Sequence, residues 1–304
     1  MNRYNGAIFR DALSGVRAHE GIWYSAVQVN AINHREAIET LSPSFNTWAN
    51  NYNNANSDRS LRFSDIACGR ELLTPSALLE SVRKNSPQIK FDFHGTDLEP
   101  DQVEIAKTYP LPSNVTKPAR FNVGDAWADT FDALSIFKPT DAILSSLHLH
   151  HGTTKQMQEF ARKVFDSLNN GGVWMGHVEL MPEGLPYLPR PNDDGKEILN
   201  WGKEFKVIDR NQDDWPSVHG DWREAYNRAY MTYLEEHDVG KDIQDAITSH
   251  NMDSDYCLSL EMLKALLKFT GFDIQLATRF GDNPEIAINH RVSPWFGAFM
   301  AIKP

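Results

Sequence analysis

Residues 62–71 have the sequence Arg-Phe-Ser-Asp-Ile-Ala-Cys-Gly-Arg-Glu, and apolar residues at helical spacing follow as far as residue 83. An apolar run that ends at Asp65, a turn of small residues and then a helix are typical of the opening of a βαβ unit. Small residues let backbone N–H groups approach a ligand, and the start of a helix favours negative charge. The stretch therefore predicts a site for a nucleotide-like ligand, or else an α/β turn that binds nothing.

The chain beyond this stretch alternates predicted strands and helices. Further strands are predicted at residues 90–97, 120–123, 137–149 and 173–178, with helices at 72–83, 100–109 and 154–168. A last helix at 260–270 precedes two strands, 272–279 and 295–302, that are expected to form an antiparallel pair. This alternation predicts an α/β fold with a doubly wound, mostly parallel, seven-stranded sheet, N-terminal helices and a helical cap insertion.

Breaks in this pattern predict four regions. We expect an N-terminal helical cap (1–58), a cofactor-binding core (59–180), a helical lid or substrate insertion (181–256) and a C-terminal helix and strand pair that completes the core (257–304). The insertion is acidic, since residues 181–257 carry 17 Asp/Glu against 8 Lys/Arg.

Composition limits the classes of partner. The net charge of −11 would repel a phosphate backbone, so nucleic acid is not an expected partner. No segment has the apolar length of a signal peptide or a membrane span, which predicts a cytoplasmic protein without a membrane partner. The two cysteines, Cys68 and Cys257, exclude a disulfide framework. A homodimer remains an open alternative.

Polar residues stand at or just beyond the predicted strand ends. In doubly wound sheets, ligands bind beyond the carboxyl ends of the strands. These residues are therefore expected to line one site: Asp97, Asp125, His148, His150, His151 and Glu179.

With these motifs placed, residues 61–179 and 258–303 resemble the class I S-adenosylmethionine (SAM)-dependent methyltransferases. The family's first motif, an acidic residue followed by three alternating glycines, is matched by Asp65-Ile-Ala-Cys-Gly-Arg-Glu, in which Gly69 is the one glycine and Glu71 replaces the third. The ends of the second, third and fourth predicted strands are similar to the family's later motifs. The resemblance implies a Rossmann-like methyltransferase fold and SAM as cofactor.

The resemblance also implies site residues. The carboxylate of Asp97 would accept both ribose hydroxyls, Gly124-Asp-Ala would hold the adenine amino group, and the fourth strand would pass under the methionine part. The implied cofactor-binding residues are Asp65, Ala67, Gly69, Asp97, Leu98, Asp125, Ala126 and Ser145.

Methyl transfer from a sulfonium is an in-line displacement, so positioning can supply most of the rate. A general base is needed only for a hydroxyl or protonated amine acceptor, and a His of near-neutral pKa suits that role. The catalytic candidates are His148, Glu179 and His151. A metal site built from these residues and His150 is the weaker alternative, and no metal is predicted.

The insertion contains a stripe of aromatic residues. Trp222, Tyr226, Tyr230 and Tyr233 lie on one face of a predicted helix, either as ordinary core or as a pocket wall. We expect Trp222, Tyr226 and Tyr24 to contact the substrate. The acidic insertion favours a basic or amine-bearing acceptor.

Together these features predict a SAM-dependent methyltransferase acting on an O or N atom of a small molecule. Two alternatives remain open. A nicotinamide-dependent oxidoreductase shares the strand–turn–helix opening, although the chain has no Gly-x-Gly-x-x-Gly. A binding module could hold the cofactor without transferring its methyl group.

Overall fold

The structure is a computed structural model that describes residues 34–55, 59–70, 72–128, 139–236, 240–241, 244–245, 248, 256–280 and 295–304. The predictions for helices before residue 34, for Tyr24 and for Glu71 lie outside the described residues. So do those for the side chains of Tyr230 and Tyr233.

Helices and strands alternate along most of the described chain. The helices are α1 (His34–Ala55), α2 (Leu73–Asn85), α3 (Pro100–Ala106), α4 (Thr154–Ser167), α5 (Trp215–Glu236) and α6 (Leu260–Thr270). The strands are β1 (Leu61–Ile66), β2 (Phe91–Asp97), β3 (Val115–Val123), β4 (Thr140–Ser145), β5 (Leu168–Glu179), β6 (Asp273–Arg279) and β7 (Phe296–Ile302).

The seven strands form one sheet in the order β3-β2-β1-β4-β5-β7-β6. Strands β1 to β5 pair in parallel, whereas β7 pairs antiparallel with both β5 and β6. The predicted doubly wound, mostly parallel sheet and its antiparallel pair are therefore confirmed. Strand β4 is buried along its whole length, as expected of a central parallel strand.

Helix α1 belongs to the main hydrophobic core. The Phe45 ring packs edge-on against Phe63 of β1 at 5.9 Å, and the Trp48 indole donates to the Gly171 carbonyl at 2.8 Å. Apolar residues at helical spacing explain this docking, because they place one face of α1 against the sheet.

The predicted fourth strand is too long. Strand β4 ends at Ser145, and Leu147 adopts φ +51° while its N–H donates to the His177 carbonyl at 2.7 Å. This turn directs the chain off the strand, so His148 is not a strand residue as predicted, and neither is His150. They lie in the following loop and in a short 3-10 turn, Leu149–His151.

Other boundaries also differ from the sequence prediction, and strand β3 begins at Val115 rather than residue 120. Strand β5 begins at Leu168 rather than residue 173, so the Asn-Asn-Gly-Gly run belongs to the strand. Helix α5 begins at Trp215 rather than Trp222, because Pro216 fits the first helical turn, where its missing N–H costs no hydrogen bond.

Candidate active site

The turn after β1 has a left-handed backbone at two positions. Ala67 has φ +57° and Gly69 has φ +61°. Between them, the Cys68 N–H donates to the Thr96 carbonyl at 2.9 Å, which holds the turn against β2. A Cβ at Gly69 would meet nothing within 4 Å among the described residues.

Asp97 ends β2 beside this turn. Its Oδ2 accepts the Gly69 N–H at 2.9 Å, and its Oδ1 accepts the Glu99 N–H at 3.0 Å. Burial raises the pKa of Asp97 above its ordinary value. A carboxylate has about four lone-pair sites, so these two bonds leave about two for a ligand.

Asp65 lies beneath the same turn and is 2% exposed. Burial, together with the charge of Asp97, raises the pKa of Asp65 well above its ordinary range. The sheet register explains this closeness, since Asp65 is the β1 residue paired with Gly95, two positions before Asp97. The turn is therefore built over two carboxyl groups that disfavour simultaneous ionisation.

The next strand ends complete this edge of the sheet. The Gly124 N–H donates to the Asp97 carbonyl at 2.8 Å, and Asp125 Oδ1 accepts the Trp127 N–H at 2.9 Å. Ala126 is buried within this turn. At the end of β4, Ser145 Oγ accepts the Trp174 indole N–H at 2.9 Å, so the hydroxyl takes part in a hydrogen bond within the core.

His148 packs against two aromatic rings that also contact each other. Its ring stacks on Trp127 with centroids 4.1 Å apart and packs against Phe160 at 4.7 Å. Burial, and to a smaller extent His150, lowers the pKa of His148 to about 3. Within the described residues neither ring nitrogen has a hydrogen-bond partner. The ring is thus neutral, and its pKa is lower than sequence reasoning assumed for a base.

A second polar group forms at the end of β5. Glu179 Oε2 lies 3.9 Å from His150 Nδ1 and 3.7 Å from Cys257 Sγ. The ring centroids of His150 and His151 are 3.9 Å apart. The structure thus brings Glu179 and His151 into one neighbourhood. No group of His, Cys, Asp and Glu side chains in the described part of the chain is arranged to hold a metal ion.

The first two rings of the α5 stripe reach this edge of the sheet. Trp222 packs against Trp295 at 5.8 Å, and Tyr226 against Phe296 at 6.1 Å. Phe296 is the β7 partner of Glu179. Both rings are nearly buried. They lie beside the end of β5.

Sequence reasoning missed a cluster of arginines in the insertion. The guanidinium carbons of Arg190, Arg210 and Arg223 lie 5.1, 5.6 and 5.7 Å from the centre of the Tyr256 ring. These three positions are far apart in the sequence and form no motif. The net negative charge of the insertion gave no indication that they meet.

No protein-family model matches the chain, and no curated protein matches it. The chain is similar to the solved structure of an O-methyltransferase family 2 protein from Planctomyces limnophilus in complex with apigenin, with 14% identity, 80% of this chain and 51% of that chain covered, and a TM-score of 0.41. It is also similar to human N-acetylserotonin methyltransferase in complex with SAM, with 14% identity, 96% and 55% coverage, and a TM-score of 0.46.

A third similar structure is the plantazolicin methyltransferase BpumL in complex with a monoazolic desmethylPZN analog and S-adenosylhomocysteine (SAH). It has 13% identity, 99% of both chains is covered, and the TM-score is 0.46. This chain spans about half the length of the first two structures. Identities and TM-scores this low leave the functional argument to the chain's own residues. Within the described residues, no helix has the length and apolar character needed to cross a membrane.

Proposed function

We propose that this chain is a class I SAM-dependent methyltransferase that moves a methyl group to an O or N atom of a small-molecule acceptor. The observation that carries the proposal is the position of Asp97. Its carboxyl lies across the left-handed turn after β1 and accepts the Gly69 N–H, with about two of its lone-pair sites left for a ligand. A vicinal diol such as a ribose presents two hydroxyl donors that suit these lone pairs.

The residues at this edge fit the cofactor. Asp97 and Leu98 would hold the ribose, Asp125 and Ala126 the adenine, and Asp65, Ala67 and Gly69 the turn beneath the methionine part. Ser145 would contribute through its place at the end of β4, since its hydroxyl accepts from Trp174. When bound, SAM supplies an electrophilic methyl group on a sulfonium.

The acceptor would lie between the cofactor edge and the end of β5. Because His148 is neutral, its proposed role is to orient the acceptor through a ring nitrogen and not to remove a proton at neutral pH. Glu179 and His151 are the groups placed to take a proton from an acceptor hydroxyl or amine. Trp222 and Tyr226 would form the aromatic wall of this pocket, and the insertion its cover.

The strand order disfavours the nicotinamide alternative. A dinucleotide-binding sheet has the usual order 3-2-1-4-5-6, whereas here the antiparallel β7 lies between β5 and β6. Calorimetric titration with SAM, SAH and NAD tests the proposal. We expect SAM and SAH to bind and NAD not to bind. NAD binding without SAM binding would replace the proposal by the oxidoreductase.

A further inference from the structure

Trp127 connects two parts of the candidate active site that are distant in the sequence. It directly follows Gly124-Asp-Ala, the turn proposed for the adenine, and its ring lies on the ring of His148 in the loop after β4. The two ring planes are 7° from parallel, and their centroids are 4.1 Å apart. The indole therefore covers one face of the imidazole.

Hydrogen bonds fix the turn that carries Trp127. The Gly124 N–H donates to the Asp97 carbonyl at 2.8 Å, and Lys163 Nζ donates to the Ala128 carbonyl at 3.0 Å. The turn is thus bonded to the end of β2 on one side and to α4 on the other. Its two ends are anchored, so a change at the turn acts on the residues between them.

Asp125 links the backbone of Trp127 to the ligand proposed for this turn. Its Oδ1 accepts the Trp127 N–H at 2.9 Å. An adenine amino group would be a second donor to the same carboxylate, which has about four lone-pair sites. Because hydrogen bonds within one network influence each other, a ligand at Asp125 acts on the bond that holds the Trp127 backbone.

Close packing joins the Trp127 ring to the loop that carries His148. Both rings pack against Phe160 of α4, with centroids 5.5 and 4.7 Å from that of Phe160. A Cβ at Gly152, the residue after the 3-10 turn, would lie 2.7 Å from the Trp127 ring. Closely packed groups transmit displacements, so the indole cannot shift far without moving the imidazole.

Contacts between rings hold the His148 side chain in place. It is 5% exposed, and neither ring nitrogen has a hydrogen-bond partner in the part of the chain that the structure describes. The orientation of a functional imidazole is usually set by a hydrogen bond to one ring nitrogen. Here the stack on Trp127 and the contact with Phe160 take that role, and a ring nitrogen remains for a ligand.

We infer that Trp127 is a positioning residue, which holds the His148 ring in the orientation that meets the acceptor and couples this orientation to occupancy of the adenine turn. The inference rests on the proposed function, because it requires the cofactor at that turn. Binding of the cofactor and of the acceptor is thereby coupled, and such a coupling is reciprocal.

The NMR signal of the His148 Cε1 proton, assigned with His148→Phe, tests the inference. A proton held over the face of an indole is shielded, so the signal should lie upfield of that of an unstacked histidine. Adenosine is the main probe, because it lacks the methionine part that is expected at the end of β4. We expect adenosine at saturation to move the His148 signal in the wild type.

Trp127→Leu should abolish both the upfield position of the His148 signal and its response to adenosine. Its affinity for SAH should stay within about threefold of that of the wild type, because the substitution removes the stack and not the turn. Trp127→Phe keeps an aromatic ring and should restore part of both effects. An unshifted His148 signal in the wild type, or an adenosine response that Trp127→Leu retains in full, would overturn the inference.

Two matched controls separate positioning from general damage. Gly152→Ala places a methyl group against the indole and should move the His148 signal, whereas Gly220→Ala, which would meet nothing within 4 Å among the described residues, should not. Trp215→Leu also removes a half-buried indole, but one that lies over Arg210. If Trp127→Leu does not fold, Trp127→Phe and Gly152→Ala carry the test. An unchanged signal in both, or an equal change in Trp215→Leu, would overturn the inference.

A calorimetric titration with SAH distinguishes failure of this inference from failure of the proposed function. If SAH binds and the Trp127 variants leave the His148 signal and its response unchanged, the proposed function stands and the positioning role falls. If SAH does not bind, the coupling falls with the proposed function, even where the His148 signal shows that the stack is present.

Discussion

The backbone N–H of Gly69 donates a 2.9 Å hydrogen bond to Oδ2 of Asp97, which joins the turn after β1 to the end of β2. Asp65 lies beneath this bond, and its pKa is raised by burial and by the charge of Asp97. At the carboxyl end of the sheet, two acidic groups are therefore close enough that the negative charge of one disfavours ionisation of the other.

Replacing Asp65 by Asn should change the pH dependence of stability. An acid with a higher pKa in the folded than in the unfolded state binds more protons when folded, so the free energy of unfolding falls as pH rises above about 4. Asp65→Asn removes this loss of stability, so the melting temperature of the variant relative to the wild type should increase as the pH rises above about 4. The exposed Asp101→Asn is the control. A difference that is constant with pH would contradict the raised pKa.

His148 should remain neutral throughout the physiological range. Its pKa of about 3 predicts no imidazole titration between about pH 5 and 8 by NMR, with His148→Phe used to assign its signal. Because the folded ring binds fewer protons than the unfolded one, stability is lost as pH falls below about 6.5. The variant His148→Phe keeps an aromatic ring against Trp127 and should lose less stability than the wild type as pH falls below about 6.5. A midpoint near 6.5 for His148 would restore it as a candidate base.

Two glycines should respond oppositely to alanine. A Cβ at Gly176 of β5 would lie 2.5 Å from the Ser145 carbonyl, whereas one at Gly220 of α5 would meet nothing within 4 Å among the described residues. Gly176→Ala should lower the free energy of unfolding by about 1–3 kcal/mol through overpacking. Gly220→Ala should raise it by about 0.4–1 kcal/mol, because alanine restricts the unfolded chain. Urea unfolding of both variants measures these two changes. An unchanged free energy of unfolding in Gly176→Ala would contradict the close approach of β5 to β4.

The sheet was predictable because buried strands consist of local runs of apolar residues. The apolar run of β4 and the acidic end of β2 are local patterns, so strand ends near Asp65 and Asp97 followed from short stretches. The path after β4 was not predictable, because Leu147 adopts a left-handed backbone that leucine rarely takes and that its contact with His177 stabilises. His148 was therefore expected on a strand.

The arginine cluster shows a different limit. Arg190, Arg210 and Arg223 meet only because the chain between β5 and α6 folds back on Tyr256. Average charge over the insertion carries no information about such a convergence. Pro216, in contrast, was a usable local signal for the start of α5, since proline is common in the first helical turn.

The affinity of Asp97→Asn for SAH tests the central claim most directly. Asparagine keeps one acceptor oxygen for the Gly69 N–H but removes the charge that would receive a ribose diol, and each charge-assisted bond contributes about 1.5–3 kcal/mol. We predict that calorimetry will show SAH binding weakened about tenfold or more in Asp97→Asn and unchanged in Asp101→Asn, with melting temperatures confirming that both variants fold. Wild-type affinity for SAH in a folded Asp97→Asn would contradict the account.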